Sequence, residues 1–282
     1  MGELVFAAKV THVPSMFISE MPGAHHGCRQ AAIDGLRQIG ARIKALNVDT
    51  VIVLDTHWLV NAGYHVNANE SFKGCYTSNE FPHFIQNLNY AYRGNPELGD
   101  AIATIATAMG VRTRSHHIST LDVEYGTLVP LRFMGADPSL RVISIAAWVA
   151  FGTMEESRKV GEAIGAAIAA SDCRVAVLAS GSLSHRIHDN RVVDAGTFTI
   201  SDEFYQQVDL RAIELWQQGR FREFTAMLPT YSKTCYGEGY MHDTAMLLGL
   251  LGWDQYHGHV EILTPYFASS GTGQVNAVFP LH

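Results

Sequence analysis

The sequence TVIVLDTHW, residues 50–58, contains the pattern that decides the fold. A short apolar run rich in β-branched residues and closed by polar ones is typical of a strand buried on both faces. Runs of the same kind occur at residues 4–10, 141–147, 174–179 and 260–263. We therefore predict a buried β-strand at each of these positions.

Helix signals lie between the predicted strands. An apolar stripe at spacings of three and four residues, which should pack on a sheet, consists of Ile33, Leu36, Ile39, Ile43 and Leu46. Two further helices are marked by their end residues, which are Asn95, Pro96 and Gly110 for one and Thr153 with Glu156 for the other. Strands that alternate with helices predict a three-layer α/β/α fold with a central mixed sheet, and we expect residues 1–282 to form a single domain.

A histidine follows three of the predicted strands within a few residues. His12 follows the first, His57 the second, and His185 comes after the strand at residues 174–179. In open α/β sheets ligands bind at the carboxyl ends of the strands, so three such loops can bring three imidazoles to one crevice. The alternative for any one of them is a histidine that only satisfies a loop backbone. The loop ASGSLSH lacks the G-x-S-x-G pattern of a serine nucleophile, which makes serine hydrolysis a weak alternative.

The composition narrows the class of protein. The formal net charge is −7 and the 20 Lys and Arg residues are scattered, so we expect neither nucleic acid nor an anionic membrane as partner. The apolar runs are shorter than the about 20 residues that cross a bilayer as a helix, and the first residues lack the pattern of a secretory signal. The four cysteines are far apart, which suits neither a disulfide framework nor a zinc ribbon. These features indicate a soluble, cytoplasmic protein.

Six stretches together resemble a known family. They are THVPSMF (11–17), DTHW (55–58), EYGTLVPL (124–131), GSLSHR (181–186), YGEGYMHDTAMLLGLLGW (236–253) and SSGTGQVNAVFPL (269–281). In this order they resemble the class III extradiol ring-cleavage dioxygenases over nearly the whole chain. The last stretch is most similar to the bacterial members of the class that act on 3,4-dihydroxyphenylacetate.

The resemblance implies a function and a set of site residues. His12 and His57 would be the imidazole ligands of one Fe(II) ion, Glu238 its carboxylate ligand, and His185 the acid/base. Such a ligand set leaves coordination positions open for a catechol and dioxygen. The implied reaction opens the catechol ring to a 2-hydroxymuconic semialdehyde, and similar enzymes are often homo-oligomers.

Several points stay open from the residues alone. Asp243 lies five residues after Glu238 and is the alternative carboxylate ligand, although the glycines on both sides of Glu238 favour it. Tyr125 stands where many members of the class have a histidine, so it either positions substrate or oxygen through its hydroxyl or packs on the core. Arg186 and Arg132 are candidates to bind a substrate carboxylate.

Two other functions remain as alternatives to the dioxygenase. The same ligands suit a catalytic Zn²⁺ ion that activates water for hydrolysis. The second alternative is that the chain is a binding module that has kept the fold and lost the catalytic activity. Near the Tyr125 loop, His116 or His117 is a further candidate to line the pocket.

Overall fold

A mixed β-sheet of ten strands lies at the centre of the residues that the computed structural model describes, 1–188 and 196–281. The strands are β1 (Glu3–Val10), β2 (Thr50–Asp55), β3 (Tyr64–Asn67), β4 (Ser71–Tyr76), β5 (Leu88–Gly94), β6 (Thr113–His116), β7 (Arg141–Ala146), β8 (Arg174–Ser180), β9 (Glu261–Ser269) and β10 (Thr272–Val278). Their order across the sheet is β4-β5-β7-β2-β8-β1-β10-β9, and β3 with β6 continues from β7.

The middle of the sheet is parallel and its C-terminal side is antiparallel. β2 and β1 each run parallel to β8, so their carboxyl ends meet at one edge. β10 is antiparallel to β1, and β9 to β10. The predicted mixed sheet is confirmed, and the strand expected at residues 260–263 extends from Glu261 to Ser269.

Helices cover both faces of this sheet. They are α1 (Ser15–Glu20), α2 (Gln30–Ala45), α3 (Pro96–Ala108), α4 (Tyr125–Met134), α5 (Met154–Ala170), α6 (Glu203–Gln217), α7 (Phe221–Thr234) and α8 (His242–Leu251). The predicted ends of α3 and α5 are confirmed: the Asn95 side chain accepts a hydrogen bond from the Leu98 backbone, and Thr153 forms a capping box with Glu156. Within the described ranges, no helix combines the length and the apolar character needed to cross a membrane.

The side chains of each central strand divide between two cores. In β2, Val51 and Val53 pack with α2 and α4, whereas Ile52 and Leu54 pack with α3, α5 and α8. This alternation follows from the two-residue period of a strand. Both faces of β2 are therefore apolar, as its continuous hydrophobic sequence predicts.

A buried ion pair lies under the loop that leaves β8. Lys9 Nζ is 2.6 Å from Asp243 Oδ2, and both side chains are fully buried. Gly181 passes directly over this pair, because a Cβ atom there would lie 2.8 Å from Asp243 Oδ2. The glycine at the strand exit is thus required for space around the ion pair, and its φ is not in the left-handed region.

Replacing Lys9 with Met is expected to lower the free energy of unfolding by about 3–5 kcal/mol, because it leaves the Asp243 carboxylate buried without a partner. Chemical denaturation measures this change. The matched control is Arg42→Met, which removes the exposed ion pair with Glu261 and should cost no more than about 1 kcal/mol. The double variant Lys9→Met/Asp243→Leu should recover most of the loss. Equal effects of Lys9→Met and Arg42→Met would contradict this expectation.

Candidate metal centre

Two histidines and one glutamate from distant parts of the chain meet at the carboxyl edge of the sheet. His12 follows β1, His57 follows β2, and Glu238 begins the 3₁₀ turn Glu238–Met241 before α8. Glu238 Oε1 is 3.0 Å from His12 Nε2 and 3.3 Å from His57 Nε2. One ligand atom from each of the three residues lies within 4.8 Å of the others, which is a spacing that suits a shared metal ion.

The sheet order explains the meeting of the two histidines. β8 lies between β1 and β2 and is parallel to both, so the loops after β1 and β2 leave the same edge two strands apart. The turn that carries His57 is held by Asp55, whose Oδ1 accepts the backbone N–H groups of His57 and Trp58. Gly126 is required beside Asp55, because a Cβ atom there would lie 2.3 Å from Oδ1.

Hydrogen bonding fixes which nitrogen of His12 faces Glu238. The Ser180 hydroxyl donates to the Gly126 carbonyl, so its oxygen accepts from His12 Nδ1, 2.9 Å away. Nε2 is then the ring nitrogen that faces the carboxylate, 3.0 Å from Glu238 Oε1. A metal cation bound to both atoms would be attracted by the carboxylate charge and by the nitrogen lone pair. This donor set therefore fits a divalent metal ion, with the second ring nitrogen held as metal-binding histidines require.

The Glu238 carboxylate is held as an anion in a buried position. Burial alone raises the pKa of a carboxyl group, but the nearby His12 and His185 imidazoles hold the pKa of Glu238 well below its usual range. The Thr56 hydroxyl donates to Oε1, and the Ser182 backbone N–H donates to Oε2. Glu238 is thus ionised at neutral pH, as a metal ligand must be.

The chain takes a strained path after Glu238. Gly239, Tyr240 and Met241 all have φ values between 52° and 61°. For the two residues that are not glycine, this left-handed backbone costs about 1–3 kcal/mol each and is kept only where the surrounding structure fixes it. Here the Glu238 backbone N–H donates to the Leu183 carbonyl, and Gly237 forms a β-bridge with Ser184. The turn therefore ties Glu238 to the loop that carries His185.

A cavity of about 440 Å³ opens onto His12 and His57, and its size lies within the roughly 300–1,000 Å³ of small-molecule sites. His185 lines it, and its Nε2 atom lies 3.8 Å from Glu238 Oε2. Burial lowers the pKa of His185, although the Glu238 charge opposes the shift. The imidazole is therefore neutral at pH 7 and able to accept a proton.

Tyr125 lies on the other side of His57, at the start of α4. Its hydroxyl oxygen is 2.8 Å from His57 Nε2, and the hydroxyl donates to Glu80 Oε2 at 3.1 Å. Burial, followed by the nearby Glu80 charge, raises the pKa of Tyr125 far above its usual value. The phenol thus stays protonated and can act only as a hydrogen-bond donor or acceptor within the cavity.

Several residues suggested by the sequence lie elsewhere. Asp243 pairs with Lys9 and is not beside the histidines, so of the two carboxylates only Glu238 is near them. His116 contacts His65 and His117 pairs with Asp100, so the expectation that one of them lines this cavity is wrong.

The two arginines that were candidates to bind a substrate carboxylate also lie away from the cavity. Arg132 pairs with Glu20 and lies over the Phe17 and Phe133 rings. Arg186 donates to the Tyr205 hydroxyl. Neither lines the cavity in the described part of the chain.

Some residues that shape the site gave no signal in the sequence. Asp209 of α6 is fully buried and accepts hydrogen bonds from the Ser184 backbone and hydroxyl and from the Tyr231 and Tyr266 hydroxyls. Burial raises the pKa of Asp209 to about 6. Because Ser184 precedes His185, this carboxylate anchors the His185 loop from below. From the sequence, a single acidic residue in an amphipathic helix is expected to be exposed. The burial of Asp209 is therefore apparent only in the tertiary structure.

The comparisons with known proteins agree with this geometry. The sequence pattern of the family described as the catalytic LigB subunit of aromatic ring-opening dioxygenase matches residues 6–280. A 3,4-dihydroxyphenylacetate 2,3-dioxygenase from Escherichia coli is 53% identical over 270 residues, which are 96% of this chain and 98% of the relative. The 2-aminophenol 1,6-dioxygenase beta subunit of a Pseudomonas species is 26% identical over 250 residues, 84% of this chain and 82% of that subunit.

Among solved structures, the crystal structure of an uncharacterized protein from Escherichia coli K12 has the same fold. It superposes with a TM-score of 0.65 at 14% identity and covers 98% of this chain and 100% of that one. The family match and the 53% identity confirm the resemblance inferred from the sequence motifs. The chain belongs to the family of catalytic LigB subunits of aromatic ring-opening dioxygenases, the class III extradiol enzymes.

Proposed function

We propose that this protein is an Fe(II)-dependent dioxygenase that opens the ring of 3,4-dihydroxyphenylacetate beside its diol. The observation that carries the proposal is the meeting of His12, His57 and Glu238 beside a cavity that His12, His57 and His185 line. The substrate is suggested by the 53% identical relative from Escherichia coli. The product would be a yellow 2-hydroxymuconic semialdehyde that contains both oxygen atoms.

The ligand set suits iron. Two imidazole nitrogens and one carboxylate oxygen on a single side are the arrangement of non-haem Fe(II) oxygenases. A ferrous ion bound there would supply open coordination positions for the diol and dioxygen and a path for electrons from the catechol to the oxygen. Glu238 supplies one negative charge, which lowers the net charge of the centre and favours Fe(II) binding.

His185 is proposed as the acid/base. Its pKa is lowered, so the neutral ring can accept a proton from a catechol hydroxyl at pH 7. The imidazole nitrogen that accepts this proton can return it to an oxygen atom later in the reaction. His185 Nε2 lies 3.8 Å from Glu238 Oε2, which is close to the candidate metal centre but too far for a hydrogen bond to the carboxylate.

We also propose that the enzyme works in the bacterial cytoplasm as a homo-oligomer. The four cysteines Cys28, Cys75, Cys173 and Cys235 are free thiols, as a reducing compartment requires. The Pseudomonas relative is named as a beta subunit, which supports assembly in this family. Sedimentation equilibrium of the purified protein measures the subunit number.

Anaerobic reconstitution tests the function directly. The metal-free protein is loaded with Fe(II) or, in parallel, with Zn(II), and bound metal is measured by mass spectrometry. Air and 3,4-dihydroxyphenylacetate are then added while an oxygen electrode and a spectrophotometer follow the reaction. The Fe(II) form should consume one dioxygen per catechol and turn yellow, and the Zn(II) form should do neither. Oxygen uptake by neither form would overturn the proposal.

Tyr125 is proposed to position substrate or oxygen through its hydroxyl. Replacing it with Phe should keep the iron content and lower kcat/KM by about 10-fold or more, the value of one hydrogen bond to a charged group. Steady-state kinetics and thermal denaturation of the variant measure the two effects separately. A lower melting temperature with unchanged kinetics would instead mean that the tyrosine only packs on the core.

Tyr76→Phe is the matched control for this substitution. The Tyr76 hydroxyl also donates to a carboxylate, that of Glu124, at 3.0 Å, but it does not line the described cavity. Its removal should leave kcat/KM within about twofold, since the lost hydrogen bond lies away from the reacting groups.

A further inference from the structure

Arg29 is a buried cation behind the wall of the cavity. Only 6% of it is exposed, and its guanidinium lies between the Phe198 and Phe267 rings, 4.8 and 5.0 Å from their centroids. Nε donates to Ser15 Oγ and Nη2 to the Thr197 carbonyl, both at 2.9 Å. Both acceptors are uncharged, and in the described part of the chain no carboxylate pairs with this arginine.

The charge of Arg29 persists although it is buried. Burial lowers the pKa of its guanidinium to about 10, so the group is still protonated at neutral pH. A buried charge without a counter-ion is costly, and the cost falls when an anion binds nearby. The cavity itself presents the opposite charge, because Glu80 lines it and Glu238 is grouped with its lining residues His12 and His57. A cation close to the cavity would therefore favour a substrate with an anionic side chain.

Ser15 connects this arginine to the cavity. Ser15 lines the cavity together with His12, and Ser15 Oγ lies 3.1 Å from Ser269 Oγ. Because its oxygen accepts the Arg29 N–H, the hydroxyl hydrogen is left to donate to Ser269 or to a ligand. The guanidinium polarises that hydroxyl and makes it a better donor to an anion.

We propose that Arg29 is a specificity-determining residue, which gives the cavity its preference for catechols with an anionic side chain. The side-chain carboxylate would accept the Ser15 hydroxyl hydrogen and thereby become the counter-ion of Arg29. This inference rests on the proposed function, since it concerns the substrate of the same site. The inference predicts that Arg29 increases the affinity for the charged side chain of the substrate and has little effect on the affinity for the diol.

Anaerobic titration calorimetry of the Fe(II) protein tests the inference without turnover. The two ligands are 3,4-dihydroxyphenylacetate and 4-methylcatechol, which has the diol and lacks the carboxylate. Arg29→Gln should raise the Kd of the acid by about 10- to 100-fold, the value of a charge-assisted hydrogen bond, and change that of 4-methylcatechol by less than about threefold. Arg132→Gln is the matched control, because Arg132 also lies over two phenylalanine rings but pairs with Glu20 away from the cavity. It should change neither Kd.

Equal weakening of both ligands in Arg29→Gln would overturn the inference, since the arginine would then only support the fold. An unchanged Kd for the acid would overturn it as well. Ser15→Ala leaves Arg29 in place but removes the hydroxyl that links it to the cavity. This variant should weaken binding of the acid selectively by several-fold, and it tests the inference if Arg29→Gln does not fold. If the wild-type protein binds neither catechol, the proposed function fails. If the wild type binds both and Arg29→Gln has the same preference for the acid over 4-methylcatechol as the wild type, this inference alone fails.

Discussion

Glu238→Gln is expected to abolish iron binding and ring cleavage while leaving the fold intact. The substitution keeps the shape of the side chain but removes the negative charge that lies between His12 and His57. Loss of a partner that only supports a ligand costs about 10- to 100-fold in metal affinity, so loss of the ligand itself should cost more than about 100-fold. Metal analysis after anaerobic loading and the rise in melting temperature on adding Fe(II) measure this effect.

Glu80→Gln is the control for the Glu238 variant. Glu80 lines the cavity, and its Oε2 lies 4.0 Å from His57 Nδ1, but it is about half exposed and is not one of the three clustered candidate ligands. The Glu80 variant should bind a full equivalent of iron. If it lost the iron while Glu238→Gln kept it, Glu80 would be the carboxylate ligand and the ligand set proposed here would be wrong.

His185→Phe is expected to keep the iron and lose most of the turnover. A general acid/base contributes about 10²- to 10⁴-fold in rate, and phenylalanine fills the same space without a titratable nitrogen. Rapid mixing of the anaerobic complex of enzyme and 3,4-dihydroxyphenylacetate with oxygen, followed by visible absorbance, measures the loss. Metal content is measured on the same samples.

Two further variants are controls for the His185→Phe result. His12→Ala removes a proposed ligand and should lose the iron itself, so equal loss of iron in both variants would contradict the different roles given to the two histidines. His83→Phe changes another imidazole that lines the cavity but is exposed. Its turnover should stay within about threefold of the wild type, because it is not proposed to move a proton.

The central strands could be predicted because burial on both faces leaves a continuous apolar run. β1, β2 and β8 were each apparent from such a run, and the histidines that follow them lie at the same edge of the sheet. Their adjacency depends on strand order, which the sequence does not contain. Glu238 could be named only through the family resemblance, because its strained turn has no pattern that local propensities favour.

β10 was not among the predicted strands, and its alternating sequence is misleading about its burial. Thr272, Gln274 and Asn276 alternate with apolar residues, a pattern typical of a strand with one face in water, yet all seven residues are buried. The polar side chains instead form internal hydrogen bonds: Asn276 Oδ1 accepts from the Thr11 backbone, and Gln274 Oε1 accepts from the Thr11 hydroxyl. Arg29 was missed for a related reason, since a charged residue is expected in solvent unless the tertiary structure shows otherwise.

The sheet order also determines when the protein can acquire its metal. β1 lies between β8 and β10, so His12 obtains both neighbouring strands only after residues 174–180 and 272–278 have been synthesised. At about 5–20 residues per second, the ribosome reaches Glu238 roughly 10–45 s after His12. A nascent chain therefore exposes its first histidine long before Glu238 completes the candidate centre, and metal binding by all three residues requires the nearly complete, folded chain.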